Sequence, residues 1–304
     1  MRHPYAWLLC RKLAGLPEVD PRPLDERRAA ERAAVAARIP TGDGLQVAEH
    51  EVPVAGGGIT IRSYRVPGDG PLPAHLLLHG GGFITGSIDT VDSLARHYAV
   101  QARCLVLSVA YRLAPEHPWP RANEDAYAAL LWAAAQPGVD ATRLSVGGVS
   151  SGATIAAVVA LLARDRGGPA LRLQLLEIPA TDLTQSQPSM SRYASGYVCT
   201  RAGLLDGYEQ YLPDAARRSD PFASPLFADL AGLPPAVVVT CQYDPLHDDG
   251  TAYVRRLREA GVPAEHIEVR GLLHSTNYLP RLRPARRSMA RSATALAEAL
   301  HGGV

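Results

Sequence analysis

Residues 147–153, "GGVSSGA", set two adjacent serines between glycines, at the junction of a short apolar segment and an alanine- and valine-rich run. A serine hydroxyl can act as a nucleophile when a strained strand-to-helix turn exposes it. In that G-x-S-x-G elbow the residues two before and two after the serine must be small. Ser150 has Gly148 and Gly152 at those places, whereas Ser151 has Val149 and Ala153, and a valine would crowd the turn. Ser150 is the candidate nucleophile. The same five letters also suit a plain strand–helix turn, so the rest of the chain must supply a base, an acid to orient it and donors for a developing oxyanion.

Each of these has a candidate just past a strand-like stretch. "HGGGF" (His79 to Phe83) follows the apolar residues 73–79. Three successive glycines expose backbone N–H groups and allow close approach, as an oxyanion requires, and a merely flexible loop does not account for the bracketing histidine and phenylalanine. "QYDPLHD" puts Asp244 before Pro245, where the plainer role is to cap the helix that follows. "GLLHSTNY" puts His274 in a loop, where a lone histidine is usually solvated. The order Ser150, Asp244, His274, each after a different strand, is the order of an α/β-hydrolase triad, and the four features together outweigh any one. His247 competes as base, but it lies on the helix that Asp244 starts, too near in sequence to reach Ser150 easily. Asp248 and Asp249 are the alternative acids. No residues stand at metal-ligand spacing, and "GDG" and "GGG" lack the strand–helix setting of a dinucleotide turn, so neither metal nor cofactor is expected.

These residues need a scaffold. Strand-like stretches occur near 45–54, 58–66, 73–79, 104–110, 143–149, 171–178, 235–241 and 265–270, and helical ones at 89–102, 120–136, 151–166, 246–260 and 285–301. Continuous apolar strands alternating with helices predict a mostly parallel eight-stranded sheet covered on both faces. The first two strands, joined through "AGGG", predict an antiparallel hairpin at its edge. Residues 16–38 have helical spacing, and "YAWLLC" near the start reads as a packed helix, too short for a signal-peptide core. About sixty residues rich in Ser, Pro, Tyr and Asp separate the strands at 171–178 and 235–241, too many for a loop. Their middle part, about 182–225, reads as an insertion into a core spanning 45–304, and with residues 1–44 it would form a helical cap. Phe83, Tyr193, Tyr197 and Tyr208 are candidate substrate contacts, with packing the plainer role for the tyrosines.

Composition narrows the partners. A net charge of +1 favours neither nucleic acid nor an anionic membrane, and no apolar run approaches the roughly 18 residues of a membrane span. Four dispersed cysteines without a C-x-x-C pair suit reduced thiols in the cytoplasm. The expected partner is a small-molecule ester, and a homodimer is compatible with the chain.

The motifs also resemble a family. "HGGGF", "YRLAPEHPWPRANEDAY" (111–127), the elbow, "GYVCTRAG" (196–203), "DPFASPLFA" (220–228) and "YDPLHD" (243–248) are similar to those of the hormone-sensitive-lipase-like esterases, over about residues 45–280. The resemblance implies an α/β-hydrolase fold, with Ser150 as nucleophile, His274 as general base and Asp244 as its orienting acid. Gly81, Gly82 and the Ser151 amide would be the oxyanion donors of a carboxylesterase for short- to medium-chain esters. Three departures stand out. Val149 and Ser151 flank the nucleophile where the family has Asp or Thr and Ala, "HSTNY" replaces the usual "HGF", and Glu177 replaces an aromatic in an apolar strand. A carboxylate there is either paired at the strand end or has a raised pKa. Acyl transfer or cyclisation would use the same residues with an alcohol in place of water. A non-catalytic receptor on the same fold need not keep the histidine, and this chain keeps all three residues.

Overall fold

The computed structural model describes residues 3–36 and 44–302. Eight strands form one sheet: β1 (Gln46–Val54), β2 (Gly57–Arg65), β3 (Leu72–Leu78), β4 (Leu105–Ala110), β5 (Val139–Val149), β6 (Leu171–Glu177), β7 (Ala236–Tyr243) and β8 (Ala264–Leu273). Their spatial order is β1-β2-β4-β3-β5-β6-β7-β8. β2 runs antiparallel to both β1 and β4, and every later pairing is parallel. The hairpin therefore supplies the antiparallel edge, and the parallel strands align their C-terminal ends along one rim.

Alternation along the strands separates two cores. Leu77, Val106, Leu175 and Val237 face α3 (Asp92–Ala102) and α9 (Arg283–His301), together with Tyr98, Leu296 and Leu300. Leu76, Leu107, Val146, Leu176 and Val238 face α4 (Arg121–Ala134), α5 (Ser151–Asp165) and α8 (His247–Glu259). α5 is buried from Ser151 to Ala163 because its Ala and Val residues let it lie close against the sheet. At about 25 cal/mol per Å² of apolar area, such burial is what holds the rim in place.

The start of the chain differs from the periodicity reading. Within the 16–38 stretch only Leu24–Ala36 is helical (α2), preceded by α1 (Pro4–Leu13) where "YAWLLC" reads as a helix, and residues 37–38 lie outside the described residues. Pro17, Pro21 and Pro23 occupy the link, and each lacks an N–H and disfavours helix in the residue before it. α1 is packed as expected: Ala6 and Cys10 are buried against Leu273, and the His3 amide donates to the Gly271 carbonyl at 2.9 Å. Between β6 and β7 lie α6 (Pro188–Arg192) and α7 (Arg201–Tyr211). Among the described residues, no helix is long and apolar enough to cross a membrane.

Candidate active site

Ser150 falls between the last residue of β5 and the first of α5, with φ 54° and ψ −119°. A non-glycine residue in that region costs on the order of 1–3 kcal/mol and persists only where its surroundings enforce it. Here the Ser150 amide donates to the Glu177 carbonyl at 2.8 Å. The flanking glycines are required by contact. A Cβ at Gly152 would lie 2.3 Å from the carbonyl oxygens of Leu78 and His79, and one at Gly148 would lie 2.4 Å from that of Gly152. The small residues two before and two after Ser150 are thus what lets the turn close against β3.

β7 and β8 end beside this turn. His274 Nε2 lies 3.2 Å from Ser150 Oγ, and His274 Nδ1 lies 2.7 Å from Asp244 Oδ2. All three residues are buried, Asp244 most fully. The other Asp244 oxygen accepts the Leu246 amide at 2.9 Å, so one carboxylate both opens the turn into α8 and holds the imidazole. The helix-start role and the role beside His274 therefore coexist. The competitors are engaged elsewhere. His247 pairs with Asp248 at 2.7 Å and lies 3.6 Å from Glu268. Asp249 is wholly buried, accepts the Asp182 amide at 3.0 Å, and is held well above the usual carboxylate range by burial and then by Asp182.

The glycine loop abuts the serine turn. A Cβ on Gly80 would meet the Val149 carbonyl at 2.9 Å, and Gly81 adopts φ 121°, where a side chain would strike Thr85. His79 is a structural neighbour rather than a base. Its ring stacks on Tyr111 at 4.2 Å, and burial lowers its pKa to about 4. The loop after β4 is tied to its surroundings: the Ala114 amide donates to the Phe83 carbonyl at 3.1 Å, and Arg112 pairs with Asp125.

The substrate-contact candidates divide. Phe83 is buried and stacks on Tyr211 at 3.9 Å, with Tyr208 at 6.2 Å. Tyr208 is also buried, and its hydroxyl has no hydrogen-bond partner among the described residues. Tyr193 and Tyr197 are half-buried and meet edge to face at 5.3 Å, with Tyr243 beyond Tyr193 at 5.9 Å. Sequence reasoning missed Tyr211 and Cys199. Cys199, Asp244 and His274 bring potential metal-ligand atoms within 4.8 Å of one another, although Asp244 and His274 already satisfy each other. Cys199 lies inside "GYVCTRAG", but nothing in that spacing points to β7 or β8.

Glu177 meets both alternatives posed for it. It is paired, accepting from the Tyr98 hydroxyl and, at 2.9 Å, from the Asn277 side chain, and burial raises its pKa to about 6. Two of the three sequence departures, Glu177 and "HSTNY", are therefore hydrogen-bonded to each other.

Known proteins share this arrangement of elements. Residues 75–277 match a family model described as alpha/beta hydrolase fold. The chain is 39% identical to esterase LipI of Mycobacterium tuberculosis, over 87% of this chain and 86% of that protein. It is 41% identical to the ethyl acetate hydrolase of Pseudomonas putida, over 71% of this chain and 70% of that protein. It superimposes on the hyperthermophilic esterase of Pyrobaculum calidifontis with a TM-score of 0.91, at 35% identity over 98% of each chain. For bacterial heroin esterase the TM-score is 0.89, at 33% identity over 97% of each chain. The sheet and these likenesses define an ester hydrolase. The chain belongs to the α/β-hydrolase fold family, in the hormone-sensitive-lipase-like branch to which its motifs point, and its activity is that of a carboxylesterase.

Proposed function

We propose that Ser150, His274 and Asp244 form the triad of a serine carboxylesterase for short- to medium-chain acyl esters of small molecules. The observation that carries this reading is the continuous line Ser150 Oγ, His274 Nε2, His274 Nδ1, Asp244 Oδ2, with gaps of 3.2 and 2.7 Å, assembled from three separate loops. Ser150 Oγ attacks the ester carbonyl carbon while its proton passes to His274 Nε2, and Asp244 holds the tautomer and stabilises the imidazolium. The carbonyl oxygen takes the negative charge, received by the amides of Gly81, Gly82 and Ser151, the last at the N-terminus of α5. Collapse expels the alcohol with the proton from His274, leaving an acyl ester on Ser150. Water then gives a proton to His274 and attacks, and the acid leaves as the proton returns to Ser150.

In this reading residues 1–44 and about 182–225 form the cap. Support comes from α2, whose Arg28 donates to the carbonyls of Ile84 at 2.7 Å and Ala114 at 2.8 Å, and whose Glu31 accepts the Gly86 amide at 2.7 Å. Arg27 pairs with Asp206 of α7 at 2.8 Å, so the two cap pieces are joined. The Phe83, Tyr208 and Tyr211 aromatics then form a fixed wall, with Tyr193 and Tyr197 on the alcohol or acyl side of the entrance. Each buried CH₂ adds about 0.8 kcal/mol until the wall is reached, after which length is penalised. In a nitrophenyl ester series kcat/KM is expected to peak at a short or medium acyl chain. A maximum at long chains, or activity only above the micellar threshold, overturns the size limit. Free acid is the expected product even with added alcohol, and a dominant transesterified product would assign the acyltransferase reading instead. We also propose a cytoplasmic location, supported by four free cysteines, and a homodimer.

A further inference from the structure

Glu177 is the last residue of β6 and is 2% exposed. A carboxylate in such surroundings is costly unless donors satisfy it. Its two oxygens take separate donors from distant parts of the chain: the Tyr98 hydroxyl on α3, and the Asn277 side-chain amide at 2.9 Å. Its backbone carbonyl accepts the Ser150 amide at 2.8 Å. One residue is thereby bonded to both the turn that carries Ser150 and the turn that carries His274.

The second turn needs such an anchor. Ser275, directly after His274, is left-handed at φ 60°, and residues Thr276–Tyr278 form a single 3₁₀ turn. Thr276 closes this turn locally, its Oγ1 accepting the Leu273 amide at 2.9 Å and donating to the Leu273 carbonyl at 2.8 Å. Those bonds shape the turn but do not tie it to the serine side of the site. Asn277, three residues past His274, makes that link through Glu177. Tyr98 is itself set within the core between the sheet, α3 and α9, edge-on to His75 at 5.7 Å.

We propose that Glu177 is a positioning residue, which through Asn277 sets the His274 turn against the Ser150 turn that its own carbonyl holds. The proposal rests on the assignment of Ser150 and His274 above. The titratable groups around Glu177 are Tyr98 of α3, Tyr278 of the His274 turn and Cys241 of β7. Burial raises all three, with the Glu177 charge adding to it (for Cys241 after that of Asp244), so among the described residues neutral donors alone hold the carboxylate. Only the ionised form accepts from both donors while needing no acceptor itself.

The test compares Glu177→Leu, Glu177→Gln, Asn277→Ala and the double variant Glu177→Leu/Asn277→Leu at pH 8, on a short-chain nitrophenyl ester. A displacement of about 1 Å at a reacting group can cost on the order of 100-fold. Glu177→Leu and Asn277→Ala are therefore expected to lower kcat by about 10- to 100-fold with KM within about 3-fold. Glu177→Gln keeps one acceptor and a hydrogen-bonding amide, and is expected to stay within about 3-fold of the parent. In the double variant the Asn277 amide is no longer orphaned and only the Tyr98 hydroxyl lacks its acceptor, so thermal stability rises from that of Glu177→Leu toward the parent while kcat stays low. Should Glu177→Leu fail to fold, Asn277→Ala carries the same comparison, since it leaves the carboxylate its Tyr98 donor. Parental kcat in Asn277→Ala, or recovery of kcat along with stability in the double variant, overturns the proposal. An inactive Ser150→Ala beside a fully active Glu177→Leu removes this inference alone, whereas an active Ser150→Ala removes the triad beneath it.

Discussion

Replacing Glu177 by Gln should make the protein more stable at neutral pH, and the size of the gain should depend on pH. Burial raises this carboxyl from 4.5 in the unfolded chain to about 6, outweighing the donors that favour its charge. The folded state therefore holds the proton more tightly than the unfolded state. The stability this confers is fully present below pH 4.5 and is lost as pH rises through 6. One pKa unit corresponds to about 1.4 kcal/mol, so the wild-type protein should lose about 2 kcal/mol from this group between pH 4 and pH 7. Glutamine has no proton to lose. The two proteins should match near pH 4, and the variant should lead by about 2 kcal/mol at pH 7 to 8, which for a chain of this size is about 3 °C in Tm. Asp249 and the other titrating groups are common to both proteins, so the comparison is the difference between two melting curves at each pH, by scanning calorimetry. A difference that is flat with pH, or that favours the wild type as pH rises, would refute the assignment of a buried carboxyl destabilised by its surroundings.

Two further substitutions probe the site. Ser150→Ala should lose activity by about 10⁶-fold while Ser151→Ala keeps most of it, because Ser151 is assigned only a backbone donor that alanine retains. Circular dichroism should find both folded, and an inactive Ser151→Ala beside an active Ser150→Ala would put the nucleophile one residue along. Asp244→Asn should lower kcat by about 10⁴-fold with little change in KM, since the amide keeps the helix-start bond to Leu246 but misdirects the imidazole tautomer. Full activity in that variant would transfer the acid role to Asp248 or Asp249.

Much of the site can be read along the chain because its determinants are local. The elbow at Ser150 demands small residues at fixed offsets, and Gly148 and Gly152 meet that demand whatever lies around them. Asp244 and His274 are recognisable because parallel strands deliver their ends to one rim, so strand order and chain order suffice. The start of the chain is read less well. Helical spacing over 16–38 counts apolar residues and overlooks that Pro17, Pro21 and Pro23 interrupt the hydrogen bonding any helix there would need. The partners of Glu177 are illegible for a different reason. Whether an acid in an apolar strand is paired depends on β6 lying beside β5, on α3 crossing that face, and on the turn after β8 reaching over. These are long-range facts that no spacing records. The same holds for Tyr211 against Phe83 and for Cys199 near Asp244 and His274.

The most direct measurement is covalent labelling with a fluorophosphonate probe, which reacts only with a serine whose proton has a base to go to, followed by peptide mapping. Labelling should be stoichiometric, fall on Ser150, abolish hydrolysis of a short-chain nitrophenyl ester, and slow greatly in His274→Ala. A label on any other residue, or an enzyme that stays active when fully labelled, would contradict the triad.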